Sequence, residues 1–143
     1  MSADVVGWWE LESWSQAFDD GRLLNPFGEQ PLGRLIYSSD GDFSVMICKA
    51  DIPQFSTGFQ WTAEDEEKAR AYDGVLAYFG KYEFDGSEMQ HQVEASLYPN
   101  WIGLTQVRKA SIKGNVLTLS ARLEKDTDQA RTVSLVWKSL DSR

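Results

Sequence analysis

Apolar and polar side chains alternate with a period of two residues along most of the chain. Short segments of this kind are typical of strands that bury one face, and turn residues separate most of them. The sequence Ser39-Asp40-Gly41, for example, predicts a hairpin turn between two of the segments. The pattern predicts eight antiparallel strands, at 7–18, 33–38, 42–48, 81–84, 89–98, 104–112, 115–123 and 131–140.

The insert between the third and fourth predicted strands is the long interruption of this pattern. Thr62 is predicted as the N-cap of a helix, with Asp65 at the N3 position of a capping-box-like arrangement. The acidic run 64–67 is a solvated face in this interpretation, and its charge suits the positive end of the helix dipole. We expect an amphipathic helix that covers one end of the sheet with the apolar stripe Ala69, Tyr72 and Leu76.

Short antiparallel strands with turn-sized connections favour a closed barrel. Closure removes exposed sheet edges, and eight strands leave an interior that holds side chains or one small ligand. A sandwich would need longer crossover connections, which only the insert 49–75 can supply. The predicted fold is mainly β: an eight-stranded antiparallel up-and-down barrel with one helix in the insert between strands 3 and 4. The chain has no linker or internal repeat, so we expect residues 1–143 to form a single domain.

Alternation assigns His91 and Arg108 to the interior of this barrel. In the fifth predicted strand one face is polar, so the other face, with His91 and Val93, points inward. In the sixth strand the same reasoning turns Gln106 and Arg108 inward. A connecting loop at 98–103 implies partner numbers that sum to roughly 201. This register predicts Val93 opposite Arg108, with His91 diagonally across from Arg108.

Aromatic residues extend the predicted lining along the strands. Tyr78 and Tyr82 share one face, so a phenol can approach the region of His91. In the first strand Trp9 has the inward parity and Trp14 the outward one. The predicted interior is therefore mostly apolar, with a few polar groups.

The loops add aromatic residues at both predicted ends of the barrel. Trp101 lies in the turn-rich loop 98–103, where it either closes the barrel end or stacks on a ligand. The other mouth is expected to be closed by Phe27 together with Phe55, Phe59 and Trp61 of the insert.

Composition and charge narrow the functional classes. The chain has 143 residues, of which 13% are aromatic, more than a small core needs and enough to line a cavity. A net charge of −8 repels a phosphate backbone or an anionic bilayer, so we expect neither a nucleic acid nor a membrane as partner. The N-terminus lacks a basic region and a long apolar stretch, which predicts a cytoplasmic protein without a signal peptide.

Few residues suit metal or nucleotide chemistry. The single histidine, His91, and the single cysteine, Cys48, are far apart in the sequence, so we expect no metal site. Cys48 lies at the end of the apolar predicted strand 42–48 and is predicted to be a buried thiol. No glycine-rich loop follows a strand and opens a helix, so we expect no cofactor.

Several stretches of the chain resemble a known family of small barrels. They are Gly7-Trp8-Trp9 with Leu11 and Ser13, NPFGEQPLGRLIYSSDGDFSV (25–45), AYDGVLAYFGKYEFD (71–85), HQVEASLYPNWIGLTQVRK (91–109) and LVWK (135–138). In this order, over nearly the whole chain, they resemble the bacterial and fungal lipocalin-like domain family, of the calycin type. The resemblance implies an eight-stranded barrel with an internal cavity, a design that serves carriers and enzymes alike. Positions that match the family pattern include Tyr78, His91, Glu94, Ser96, Pro99, Trp101, Gly103 and Arg108.

Three functional hypotheses follow. In the first, the barrel binds a small hydrophobic or aromatic metabolite, anchored by His91 and Arg108. Further contacts are then expected from Trp9, Phe27, Tyr82, Val93, Trp101 and Gln106. In the second, the protein is a cofactor-independent isomerase, cyclase or lyase of specialised metabolism. His91 is then the general acid or base, and Arg108 and Tyr78 stabilise an oxyanion or a carboxylate.

In the third hypothesis the barrel is filled and its function lies in contacts with a partner on its outer surface. The structural alternatives for the polar residues are a His91 bonded only within the protein and an Arg108 that is paired with Glu83 or Glu94 or points outward. A monomer or a homodimer is compatible with all three hypotheses.

Overall fold

The computed structural model describes residues 5–141, in which one antiparallel sheet closes into a barrel. The strands are β1 (Gly7–Phe18), β2 (Leu23–Leu24), β3 (Leu32–Tyr37), β4 (Asp42–Cys48), β5 (Val75–Phe84), β6 (Glu88–Ser96), β7 (Thr105–Lys113), β8 (Val116–Leu123) and β9 (Arg131–Ser139), with helix α1 (Asp65–Asp73) and a 3₁₀ helix (Pro99–Trp101). β1 pairs with both β3 and β9, so eight long strands close the barrel, while β2 pairs only with the end of β1. The predicted eight-stranded barrel, with its helix after the third long strand, is confirmed.

The two ends of the barrel differ in the length of their connections. The turn end carries the short connections 38–41, 85–87 and 114–115. The loop end carries the connections 19–31, 49–74, 97–104 and 124–130. In an antiparallel barrel every second connection returns to the same end. Phe27 and the insert therefore lie at the same mouth as Trp101, and the predicted closure of opposite mouths is wrong.

Large buried side chains fill the half of the barrel next to the turn end. They include Trp9, Tyr37, Phe43, Tyr82, Met89 and Leu117. These residues belong to one hydrophobic cluster, as the inward parity of their strands requires. The other half of the barrel surrounds an open space, which is described below.

An irregularity in β1 changes which of its side chains point inward. Trp9 is buried, as the alternation predicts. The pairing with β9 then shifts between Leu11 and Ser13, where β1 carries one extra residue. Such a bulge moves all later residues to the opposite face of the strand. Trp14 consequently pairs with Leu135 and lines the interior, so the prediction of an outward Trp14 is wrong.

The insert helix is shorter than predicted and has a different cap. Its N-cap is Glu64, whereas the hydroxyl of Thr62 donates to the carbonyl oxygen of Phe59 at 3.3 Å. Gly74 caps the helix and β5 follows directly, so Leu76 lies in a strand and α1 has no buried residue. The predicted cap is therefore wrong, and the predicted stripe is wrong because β-branched and aromatic residues after position 74 favour a strand. No helix in the described part of the chain is long and apolar enough to cross a membrane.

The pairing of β6 with β7 also differs from the prediction. Arg108 lies opposite Met89 rather than Val93, and His91 pairs with Gln106. The predicted register is wrong because the connection is asymmetric: β6 continues along β5, and the 3₁₀ helix takes up part of the loop. His91 keeps its diagonal relation to Arg108, so both side chains face the same region of the interior.

Cys48 faces the outside of the barrel. Phe43, Val45 and Ile47 are buried on the inner face of β4, and Cys48 has the opposite parity. Its side chain is partly exposed and unpaired. The prediction of a buried thiol is therefore wrong, because apolar residues occupy both faces at this end of β4.

Candidate functional site

The loop half of the barrel encloses a cavity of about 390 Å³. All eight long strands contribute to its wall, mostly with aliphatic and aromatic side chains such as Trp14, Ile47, Leu119 and Trp137. The polar lining residues are few: Gln16, Tyr78, His91, Tyr98 and Arg108. A mostly apolar cavity with a few polar groups is the usual form of a small-molecule site.

The predicted site residues divide into two groups. Tyr78, His91, Trp101 and Arg108 line the cavity. The other group lies outside the lining and consists of Trp9, Phe27, Tyr82, Val93 and Gln106.

Packing explains why four members of the second group lie outside the lining, whereas Gln106 accepts a hydrogen bond from Arg108. Trp9, Tyr82 and Val93 are buried, and the Tyr82 hydroxyl donates to the Ser38 carbonyl oxygen at 2.7 Å. Phe27 packs edge-on against Trp14, with ring centroids 4.8 Å apart. Phe27 thus packs against a lining residue without lining the cavity itself.

His91 lies between two tyrosine hydroxyls at the base of the cavity. Its Nε2 is 2.7 Å from the Tyr37 hydroxyl oxygen, and its Nδ1 is 3.3 Å from that of Tyr78. Phe43 stacks on the imidazole with ring centroids 4.2 Å apart. Only 2% of His91 is exposed, so packing and hydrogen bonds together fix the ring.

These surroundings keep the side chains of Tyr37, His91 and Tyr78 uncharged at neutral pH. Burial, together with the nearby positive charge of Arg108, lowers the pKa of His91 from 6.5 to about 3. Burial also raises the pKa of Tyr37 well above 10, and it raises the pKa of Tyr78. The group therefore offers neutral hydrogen-bonding atoms to the cavity.

Arg108 brings a positive charge to the same wall. Its Nη2 donates to Gln106 Oε1 and its Nη1 donates to the Val107 carbonyl oxygen, both at 3.0 Å. Within residues 5–141, no carboxylate lies in ion-pair distance of this guanidinium. The alternatives of a pair with Glu83 or Glu94 are therefore wrong, and neutral protein oxygens are the hydrogen-bond partners of the charge.

Trp101 lines the cavity at the loop end. The 3₁₀ helix turns its ring toward β5, where it packs edge-on against Tyr78 with centroids 5.3 Å apart. It also packs edge-on against Tyr98, at 5.6 Å. By contrast, Phe59 and Trp61 of the insert are 76% and 78% exposed, so the expectation that they close a mouth of the barrel is wrong.

Gln16 is a lining residue that the sequence pattern missed. Arg131 Nε donates to Gln16 Oε1 at 2.8 Å. Arginine has no acceptor, so this bond fixes the amide oxygen toward Arg131 and leaves the NH₂ group for other partners. The bulge in β1 explains the omission, because the alternation before it gives Gln16 the outward parity.

Tyr37 and Phe43, which contact His91, were also not predicted as site residues, although their inward parity is visible in the sequence. Both flank the turn at 38–41 and face each other across β3 and β4. The alternation marks them as core residues, but it does not bring them to His91, which lies 54 positions after Tyr37. Their contacts depend on closure of the sheet.

Comparisons with known proteins agree with this architecture. The profile of the lipocalin-like domain matches residues 6–140. The 4'-hydroxy-3'-methoxypropiophenone carrier protein of Aspergillus oryzae is 38% identical over 85 residues, which cover 54% of this chain and 77% of that protein. No solved structure matches the chain significantly. With a closed eight-stranded barrel and a match over nearly its whole length, the chain belongs to the lipocalin-like domain family.

Proposed function

We propose that this protein binds a small, partly apolar aromatic molecule inside the barrel and acts as its carrier. The observation that carries the proposal is the cavity of about 390 Å³, whose volume lies at the small end of the usual range for ligand sites. Tyr78, His91 and Arg108 come from the neighbouring strands β5, β6 and β7, so they form one polar wall. They anchor the polar end of the ligand, and apolar residues enclose the rest.

The relative in Aspergillus oryzae supports a more specific ligand class. Its name describes a carrier for 4'-hydroxy-3'-methoxypropiophenone, an aromatic ketone with two further oxygen substituents. We extend this class to the present chain: an aromatic ring fits among Trp14, Trp101 and Leu119, and its oxygen substituents suit the polar wall.

The protonation state of His91 favours a carrier over a cofactor-independent isomerase, cyclase or lyase. An efficient general base has a pKa near the working pH, whereas the pKa of His91 is about 3. Both of its ring nitrogens are already within hydrogen-bond distance of tyrosine hydroxyls. His91 is thus a weak base that holds a neighbouring hydroxyl in position.

Filling the cavity is expected to abolish ligand binding. Ala121 lines the cavity from β8, so the indole of Ala121→Trp would occupy the volume that the ligand needs. Binding of 4'-hydroxy-3'-methoxypropiophenone is measured by isothermal titration calorimetry, and circular dichroism checks that the variant is folded. Ser120→Trp adds the same side chain to the outer face of β8 and is expected to bind like the wild type. Unchanged binding by a folded Ala121→Trp variant would contradict the cavity as the site.

Ligand affinity is expected to stay constant between about pH 5 and 8. Neither His91, with a pKa of about 3, nor Tyr78, with a raised pKa, changes charge in this interval. The measurement is calorimetric titration with 3',4'-dimethoxypropiophenone, which has no ionisable group of its own. An affinity that changes tenfold around pH 6.5 would instead indicate a titrating His91 and would favour acid–base catalysis.

A further inference from the structure

The hydrogen-bonded series Tyr37–His91–Tyr78 has one buried end and one end in the cavity. Tyr37 is fully buried, and the rings of Phe43 and Tyr82 pack around it. Tyr78, at the other end, lines the cavity together with His91. The two ends therefore differ in the partners that their hydroxyl groups can reach.

The buried end determines the direction of the first hydrogen bond. Within residues 5–141, the hydrogen-bond partner of the Tyr37 hydroxyl is His91 Nε2. If Nε2 carried the hydrogen, the Tyr37 O–H would be left without an acceptor in apolar surroundings, which is costly. Tyr37 therefore donates to Nε2, and the separation of 2.7 Å is typical of a hydroxyl donor.

The hydrogen bond from Tyr37 to His91 determines the direction of the hydrogen bond between His91 and Tyr78. A neutral imidazole carries one hydrogen, which must lie on Nδ1 when Nε2 accepts. Nδ1 then donates to the Tyr78 hydroxyl oxygen, 3.3 Å away. The hydrogen of the Tyr78 hydroxyl is not used by His91, so it remains available in the cavity that Tyr78 lines.

We propose that Tyr78 donates a hydrogen bond to an acceptor oxygen of the ligand, and that Tyr37 acts as the positioning residue that sets this direction. The inference rests on the proposed binding function and names what the polar wall recognises: a carbonyl oxygen. Further lining groups also present donors, among them the Arg108 guanidinium and the Gln16 amide, whose oxygen is held by Arg131. A positively charged wall rich in donors selects ligands that bear acceptors and disfavours protonated amines, which offer only donors.

The tautomer of His91 tests the proposal without any substitution. His91 is the single histidine in the sequence, so nitrogen NMR of the ¹⁵N-labelled protein reports its two ring nitrogens without overlap. We expect a protonated Nδ1 and an unprotonated Nε2 in the ligand-free protein near neutral pH. A protonated Nε2 would overturn the proposed direction.

A pair of ligands tests the consequence for recognition. The probes are 4'-hydroxy-3'-methoxypropiophenone and 2-methoxy-4-propylphenol, which lacks the ketone oxygen. The ratio of their affinities is expected to fall about tenfold in Tyr78→Phe, the value of one hydrogen bond, while the affinity for the alkyl probe stays unchanged. Tyr37→Phe is expected to lower the ratio in the same direction. Tyr72→Phe removes an exposed hydroxyl on α1, outside the cavity lining, and is expected to leave the ratio unchanged.

The outcomes separate the inference from the proposed function. If the wild type binds both probes and Tyr78→Phe leaves their ratio unchanged, the Tyr78 donor is overturned and binding in the cavity stands. If the wild type binds neither probe, the proposed ligand class fails, and the recognition of a carbonyl in that class fails with it. A reduced ratio in Tyr78→Phe, with an unchanged ratio in Tyr72→Phe, supports both.

Discussion

Replacing Gly80 by alanine is expected to destabilise the protein by about 3 kcal/mol or more. Gly80 lies where the pairing of β5 with β6 is irregular, and a Cβ atom at this position would lie 1.9 Å from the carbonyl oxygen of Gln92. That oxygen belongs to the backbone of β6, so relief of the clash requires the two strands to separate. Urea denaturation followed by tryptophan fluorescence measures the change in the free energy of unfolding.

Gly58→Ala provides the matched control for this effect. Gly58 lies in the insert, and a Cβ atom there would have no neighbour within 4 Å. We expect the free energy of unfolding to change by less than about 0.5 kcal/mol. Equal stability of the two variants would contradict the close approach of β5 and β6 at Gly80.

The close approach at Gly80 also matters for the candidate site. Gly80 lies between Tyr78 and Tyr82 in β5, and it pairs with Val93, two residues after His91. A side chain at position 80 would push β6 away from β5 and lengthen the contact between Tyr78 and His91. The irregular pairing thus sets the separation of two polar groups on the cavity wall.

Much of the fold could be predicted from local patterns. The alternation of apolar and polar residues records burial directly, so it predicts the eight strands and the inward orientation of His91. The predictions that are wrong concern features that long-range contacts determine. Trp14 faces inward because of a bulge against β9, and Arg108 lies opposite Met89 because the connection after β6 is asymmetric. Neither feature leaves a periodic signal in its own segment.

The candidate site could be predicted only in part, for the same reason. Tyr78 and Arg108 are visible as polar residues with the inward parity of their strands. Tyr37 has the same parity, but an aromatic residue beside apolar neighbours is most simply interpreted as part of the core. The role proposed here depends on its separation of 2.7 Å from a ring nitrogen on β6, which the sequence does not specify.

Acidification is expected to destabilise the protein through His91. The pKa of His91 is about 3 in the folded protein, against 6.5 as its ordinary value, so between these values the unfolded chain binds a proton that the folded protein does not. Between pH 6.5 and about 3 the free energy of unfolding therefore falls by about 1.4 kcal/mol for each pH unit, and His91 contributes no pH dependence above 6.5. The measurement compares urea denaturation of the wild type and His91→Gln from pH 8 to about pH 4.

The difference in the free energy of unfolding between the wild type and His91→Gln separates the contribution of His91 from that of the carboxylates. Asp19 and Asp85 have lowered pKa values, so their stabilisation is also lost on acidification, but equally in both proteins. Gln92→His adds an exposed histidine to the outer face of the same strand and is expected to leave the pH dependence of the wild type unchanged. A difference between wild type and His91→Gln that is constant over the whole pH range would mean that His91 takes up a proton in the folded protein. It would contradict the lowered pKa that keeps the buried imidazole neutral below pH 6.5.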